Sequence, residues 1–515
     1  MSRIPATVLR DAVLDAGSFV SWDTAPLDVA ADDDYARDLA QARASTGLDE
    51  SVITGEGTVH GRRVAVVACE FDFLAGSIGV AAAERITAAV QRATRERLPL
   101  LASPSSGGTR MQEGTVAFLQ MVKIAAAVQQ HKQAHLPYLV YLRHPTTGGV
   151  FASWGSLGHV TIAEPGALIG FLGPRVYEHL YGEPFPPGIQ TAENLQRHGV
   201  IDGVVPLKWL RRTLERALKV IVDKPATAPE PQVSEPSPDV PAWESVVASR
   251  RPDRPGIGFL LRHGATEKVL LSDWGHSPAS GRYPHPLAGD GQGHAMLLAL
   301  VRFCGQPAVV LGQKRTAGTG PFPRRFALPP GTGPAALREA RRGMALAAGL
   351  RLPLVLVIDT AGPALSAEAE QEGLAGEIAL CLAHLVTLQT PTVSVLLGQG
   401  SGGPALAMVP ADRVLAALHG WLAPLPPEGA SAIVYRDTLH AAELAAAQGI
   451  RSTDLLVSGI VDAIVPERPD AADEPIDFSK RLSTAIAGQL AALRQVPAEQ
   501  RYADRLTRYR RIGLR

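Results

Sequence analysis

Apolar residues in this chain fall into short unbroken runs, separated by longer stretches in which apolar and polar positions alternate with helical spacing. The runs at 64–68, 138–142, 354–358 and 393–397 are rich in Val, Leu and Ile. Runs of this kind predict strands buried on both faces. Ala-rich stretches at 80–96 and 334–349 predict helices between them. Strands that alternate with helices imply crossovers of one hand and a largely parallel sheet, so an α/β fold. Segments 274–293 and 316–333 are dense in Gly, Pro and Ser and predict long loops.

The pattern occurs twice. ArgLeuProLeu at 97–100 returns at 351–354, Pro137 before one strand is matched by Pro391 before another, and Gly148-Gly149 is matched by Gly402-Gly403. All three pairs share one offset, 254 positions. With small gaps, 61–67 faces 305–311 and 198–206 faces 458–466. A register held over so many residues predicts a duplicated fold. The Pro-rich stretch 225–242 reads as an extended linker between an N-terminal domain, 1–224, and a C-terminal domain, 243–515.

Composition narrows the function. Two domains suit 515 residues, of which 46% are hydrophobic. Fifty basic and fifty acidic residues give a formal net charge of zero, which argues against nucleic acid or an anionic membrane as the main partner. The three cysteines, Cys69, Cys304 and Cys381, have no spacing that suggests a zinc ribbon or a disulfide framework. No apolar run reaches the roughly 20 residues of a membrane span, and the N-terminus has no secretory pattern, so a cytoplasmic protein is expected.

Three motifs carry candidate chemistry: SerSerGlyGlyThrArgMetGlnGluGly at 105–114, ThrThrGlyGlyVal at 146–150 and GlySerGlyGlyPro at 400–404. The last two each follow a predicted strand and precede a predicted helix. The first N–H groups of a helix lack intrahelical partners, and glycine lets a ligand oxygen approach them. Such a turn can act as an oxyanion hole at Gly148, Gly149, Gly402 and Gly403. No nucleophile–base pair accompanies it. Ser156 lacks the spacing of a nucleophile elbow, His144, His159 and His198 are scattered, and no metal-ligand spacing occurs. A site of main-chain donors without a protein base suggests that the reactants supply their own.

At these residues the chain resembles the carboxyltransferase component of acyl-CoA carboxylases. The first half is similar to the bacterial acetyl-CoA carboxylase beta subunit, through SerGlyGlyThrArgMetGlnGluGly, HisProThrThrGlyGlyValPheAlaSer and the segment 163–175. The second is similar to the alpha subunit, through IleAspThrAlaGlyPro at 358–363, GlyGlnGlySerGlyGlyProAlaLeuAla at 398–407, LeuProProGluGlyAlaSerAlaIle at 425–433 and the tail 501–513. The whole looks closest to the fused actinobacterial form.

The resemblance implies two crotonase/ClpP-like (ββα-spiral) domains that transfer a carboxyl group from carboxybiotin on a carrier protein to acetyl-CoA or propionyl-CoA. Gly402 and Gly403 would hold the biotin enolate, and Gly148 and Gly149 the thioester enolate. Biotin carboxylase and biotin carrier partners are implied in trans, no metal is implied, and a homodimer is the smallest assembly expected. CoA phosphates need cations, for which Arg110, Lys314, Arg324 and Arg325 are the candidates.

The chain departs from the family pattern at three points. It has no four-cysteine zinc ribbon, which leaves the first fifty residues without an assigned role. It has no biotinylation or ATP-grasp sequence. Pro404 stands where a gapless alignment puts the second glycine of SerGlyGlyAla, and proline has no N–H to donate. Three alternative readings follow: a biotin-independent malonyl-thioester decarboxylase, which shares ThrThrGlyGlyVal; a catalytically weak scaffold in a carboxylase complex; and, more distantly, a ClpP-type serine hydrolase.

Overall fold

A computed structural model describes residues 3–29, 31–227, 229, 238–271, 296–315 and 331–514. The chain forms two compact units, Met1–Leu218 and Lys219–Arg515. The division lies a few residues before the expected end at 224, because Arg302 in the second unit donates to the backbone carbonyls of Lys219 and Lys224. Half of the proposed linker lies outside the described residues, as do 274–293 and nearly all of 316–333.

The first unit holds a sheet of seven strands: β1 (Val20–Ser21), β2 (Val52–Val59), β3 (Arg62–Cys69), β4 (Leu100–Ser103), β5 (Tyr138–Leu142), β6 (Val160–Ala163) and β7 (Gly203–Val204). The second repeats it with β8 (Ala265–Leu270), β9 (Met296–Phe303), β10 (Gln306–Gln313), β11 (Leu354–Thr360), β12 (Thr392–Ser401), β13 (Arg413–Ala417) and β14 (Ala463–Val465). Spatial order follows chain order along both sheets, and in the second a further strand, Trp421–Ala423, pairs with β12 off that path. The first three strands of each are antiparallel and the rest parallel.

The duplication extends to strand register. Leu100 pairs with Tyr138 in one unit, and Leu354 with Thr392 in the other, both members shifted by 254. The hairpins correspond too: Val52 pairs with Cys69 and Met296 with Gln313. The strands are apolar on both faces because crossover helices and the opposite layer leave neither face to water. In the first unit, Ile86, Val90, Val67, Leu100 and Val140 meet in one core. In the second, Val310, Val357 and Val395 pack with Phe478, Leu482 and Ile486. Burying each such side chain contributes about 1.5–3 kcal/mol.

The expected helices are Val80–Arg95 and Pro334–Leu350, and each starts after a glycine, Gly79 and Gly333. The first fifty residues are packing elements. Leu9 and Val13 of helix Ala6–Val13 are buried, and helix Asp33–Thr46 buries Tyr35, Leu39 and Ala42 in a small cluster with Phe73.

Candidate active site

Each unit has a glycine turn where a parallel strand runs out and a short helix begins. In the first, helix Gly148–Phe151 opens with Gly148 at φ +63°. In the second, helix Gly402–Leu406 opens with Gly402 at φ +67°. Only glycine adopts this backbone readily, which explains the first residue of each pair.

A second loop lies against each turn and repeats the same bonds. Gly108 (φ +115°) donates its N–H to Ser106 Oγ at 3.0 Å, and its carbonyl accepts from Ile78 N at 3.0 Å. Gly362 (φ +135°) donates to Thr360 Oγ1 at 3.2 Å and accepts from Thr332 N at 2.9 Å. Gly108 and Gly362 are again 254 apart. A Cβ built on Gly108 would lie 3.7 Å from Gly149 N, so the space over Gly108 adjoins that amide.

The four glycines are not equivalent donors. Gly148 already gives its N–H to Phe171 O at 3.2 Å. Gly149 and Gly403 have no partner for theirs among the described residues. In the first turn the free donor is therefore the second glycine, whereas in the second turn Gly402, like Gly403, has no partner for its N–H among the described residues. Pro404 falls opposite Val150, at the third helical position, where an N–H has no intrahelical partner in any case. Proline there spares the helix and leaves Gly403 intact, while the second turn lacks the amide that Val150 contributes in the first.

Arg110 does not serve as a phosphate ligand in this structure. Its side chain is fully buried and reaches Glu50 with two nitrogens, at 3.1 and 2.5 Å, as well as Tyr35 Oη and Ser77 O. Burial works against its charge, but the Glu50 carboxylate outweighs that and holds its pKa above the ordinary value. Glu113 of the same motif accepts from Tyr35 Oη at 2.6 Å and from Val80 N at 2.6 Å, tying the loop to the start of helix Val80–Arg95. The motif at 105–114 is thus anchored from within, and Glu50 and Tyr35 are the residues missed by sequence reasoning. Glu50 lies 60 positions from Arg110 and Tyr35 lies 75, with no local pattern to connect them.

Lys314 follows β10, within the described residues, and Arg324 and Arg325 lie outside them. The neighbour of Lys314, Arg315, turns inward and pairs with Asp359 at 3.0 Å. Burial pushes the Asp359 carboxyl up, against the pull of Arg315. Its Oδ1 accepts from Gln399 N at 3.1 Å, which steadies β12 just before the second turn.

His159 and His144 each satisfy a main-chain N–H. His159 Nδ1 accepts from Tyr138 N and His144 Nδ1 accepts from Leu168 N, each at 3.1 Å. Exposed His198 is placed by its Nδ1 at 2.9 Å from Asn194 O. Ser156 donates to Phe151 O, with no histidine beside it. No group of His, Cys, Asp or Glu suited to a metal ion occurs among the described residues.

Two α/β units that repeat one strand order, each with a glycine turn at a strand–helix junction, define a duplicated α/β fold. The carboxyl transferase domain family matches residues 10–503, and the chain belongs to that family. It is a carboxyltransferase of the biotin-dependent acyl-CoA carboxylase kind. A Mycobacterium tuberculosis protein named "Probable biotin-dependent acyl-coenzyme A carboxylase beta3 subunit" is 74% identical over 516 residues, covering 100% of this chain and 99% of the relative. The acetyl-coenzyme A carboxylase carboxyl transferase subunits beta/alpha of Parafrankia sp. are 38% identical, covering 99% of this chain and 86% of the relative. Among solved structures, transcarboxylase 12S superposes with a TM-score of 0.71 at 19% identity, over 95% of this chain and 90% of the other.

Proposed function

We propose that the chain transfers the carboxyl group of carboxybiotin, delivered on a separate carrier protein, to the α-carbon of a short acyl-CoA, acetyl-CoA or propionyl-CoA. The observation that carries this reading is the pair of free amides, Gly149 and Gly403, at equivalent turns of a duplicated fold. The reaction forms two oxyanions, one on the ureido oxygen of biotin after CO2 leaves and one on the thioester after its α-proton is lost. The ureido nitrogen takes that proton, and the thioester enolate attacks CO2. Gly149 would serve the thioester oxygen and Gly403 the ureido oxygen. A donor of this kind contributes about 10²–10³ in rate. No protein base is required, which agrees with the main-chain contacts that occupy His144 and His159.

Lys314 is retained as a candidate for the CoA phosphates, with Arg324 and Arg325. Biotin carboxylase and a biotin carrier are the partners this chemistry requires. A homodimer is supported by the apolar side chains on helix Gly114–Gln133: Phe118 is 61% exposed, Leu119 56% and Val122 67%. No helix among the described residues is long and apolar enough to cross a membrane, and the three free cysteines suit a reducing cytoplasm.

The reverse reaction tests this. Purified chain with free biotin and malonyl-CoA should release acetyl-CoA, and omission of biotin should abolish the release. Equal release without biotin would instead establish a malonyl-thioester decarboxylase.

A further inference from the structure

The two turns differ at the residue before the glycine pair, Thr147 against Ser401, and at the residue after it, Val150 against Pro404. Ser401 ends β12 and precedes the Gly402-Gly403 turn. It is fully buried, and its hydroxyl has no hydrogen-bond partner. Its place in the chain explains why. A serine at the N-cap of a helix ordinarily accepts from the N–H at the second or third helical position. The third is Pro404, which has none, and the Gly403 N–H is not taken. The counterpart in the first unit, Thr147, spends its hydroxyl on Ser106 O at 3.4 Å, and the third helical position there is Val150, which keeps its N–H.

The Ser401 hydroxyl borders the space over Gly362, the counterpart of the space over Gly108. In the first unit, the space over Gly108 is bordered by Gly149 N at 3.7 Å. In the second, a Cβ built on Gly362 would meet only Ser401, its Oγ at 3.5 Å and its Cβ at 4.0 Å. That space is bordered by an amide nitrogen and, equally near, the Thr147 carbonyl in one unit, and by an unspent hydroxyl in the other. A buried hydroxyl without a partner carries a desolvation cost that a ligand acceptor would relieve.

We infer that Ser401 is a catalytic residue. Its O–H and the Gly403 N–H together hold the ureido-type oxyanion in the second unit, and the hydroxyl replaces the amide that Pro404 lacks. This rests on the function proposed above. In the reverse direction, the malonyl carboxylate leaves as CO2, and the electrons of the broken C–C bond form the thioester enolate. The biotin N–H proton passes to that carbon, and the deprotonated ureido nitrogen attacks CO2. Negative charge on the ureido oxygen lasts from the proton transfer to the attack, and Ser401 would stabilise it during that interval.

The test uses the full chain in the biotin and malonyl-CoA exchange. Ser401→Ala should lower kcat by about 10²–10³, with KM for malonyl-CoA within about twofold and no loss of thermal stability, since it removes an unsatisfied hydroxyl. Ser401→Thr, which keeps the hydroxyl, should recover most of the rate. Pro404→Ala, which restores an amide, should raise the rate of the Ser401→Ala chain at least tenfold. The inference is overturned by a Ser401→Ala chain that turns over within threefold of the parent, by a loss of rate that tracks a fall in melting temperature, or by a double variant no faster than Ser401→Ala. An inactive parent chain would instead count against the proposed function itself.

Discussion

Arg110 and Glu50 are an ion pair with side chains 0% and 2% exposed, so neither charge can fall back on water. Arg110→Met leaves Glu50 buried and unpaired, a change that costs about 3–5 kcal/mol. Thermal denaturation should show a clear drop in midpoint, and adding Glu50→Gln should recover part of it. The sequence offered Arg110 as a candidate for the CoA phosphates, because nothing local indicates which way an arginine beside a glycine loop will turn. His159 carries a second residue-scale prediction. Burial holds its pKa down at about 3, well below the ordinary 6.5, and its neutral ring accepts from Tyr138 N. A depressed pKa gives stability that is complete above the unfolded value, near 6.5, and is lost as pH falls toward about 3. Urea midpoints at pH 7 and pH 5 should therefore differ more for the parent chain than for His159→Gln.

At the scale of elements, the C-terminal helix Ala498–Arg511 is very polar, yet Arg501 and Arg505 are buried in it. Arg505 pairs with Asp412 at 2.8 Å and donates to Leu385 O and Leu388 O. Asp412 also accepts from Thr392 N at 2.8 Å, at the head of β12, the strand that ends in the second glycine turn. Arg505→Met should destabilise the second unit by about 3–5 kcal/mol. Arg505→Met/Asp412→Asn should be milder, as a double-mutant cycle in urea would show. The tail motif 501–513 was legible as a family marker, while its task of holding β12 needed the tertiary contact. Strands and helices were the most legible level, since an apolar run or a helical repeat is itself the burial pattern.

At the scale of the whole molecule, the apolar face of helix Gly114–Gln133 bears on assembly. Val116, Phe118, Leu119 and Val122 are each more than half exposed. A patch of that kind on a chain of zero net charge favours self-association. Sedimentation equilibrium should report a dimer or larger assembly, and Phe118→Glu/Val122→Glu should shift it toward monomer. A parent chain that stays monomeric at micromolar concentration would remove the support for a homodimer.

The order of elements, their duplication and the 254-residue register are properties of spacing, and spacing can be read from one chain. So can the two glycine turns, because a left-handed backbone at a strand–helix junction demands that residue type. The sequence alone did not reveal that Gly148 has already given its N–H to Phe171, that Arg110 faces inward, or that Pro404 leaves the hydroxyl of Ser401 unspent. Each depends on which donors and acceptors meet across tens of residues, and hydrogen-bond satisfaction is settled only when the sheets and helices have packed.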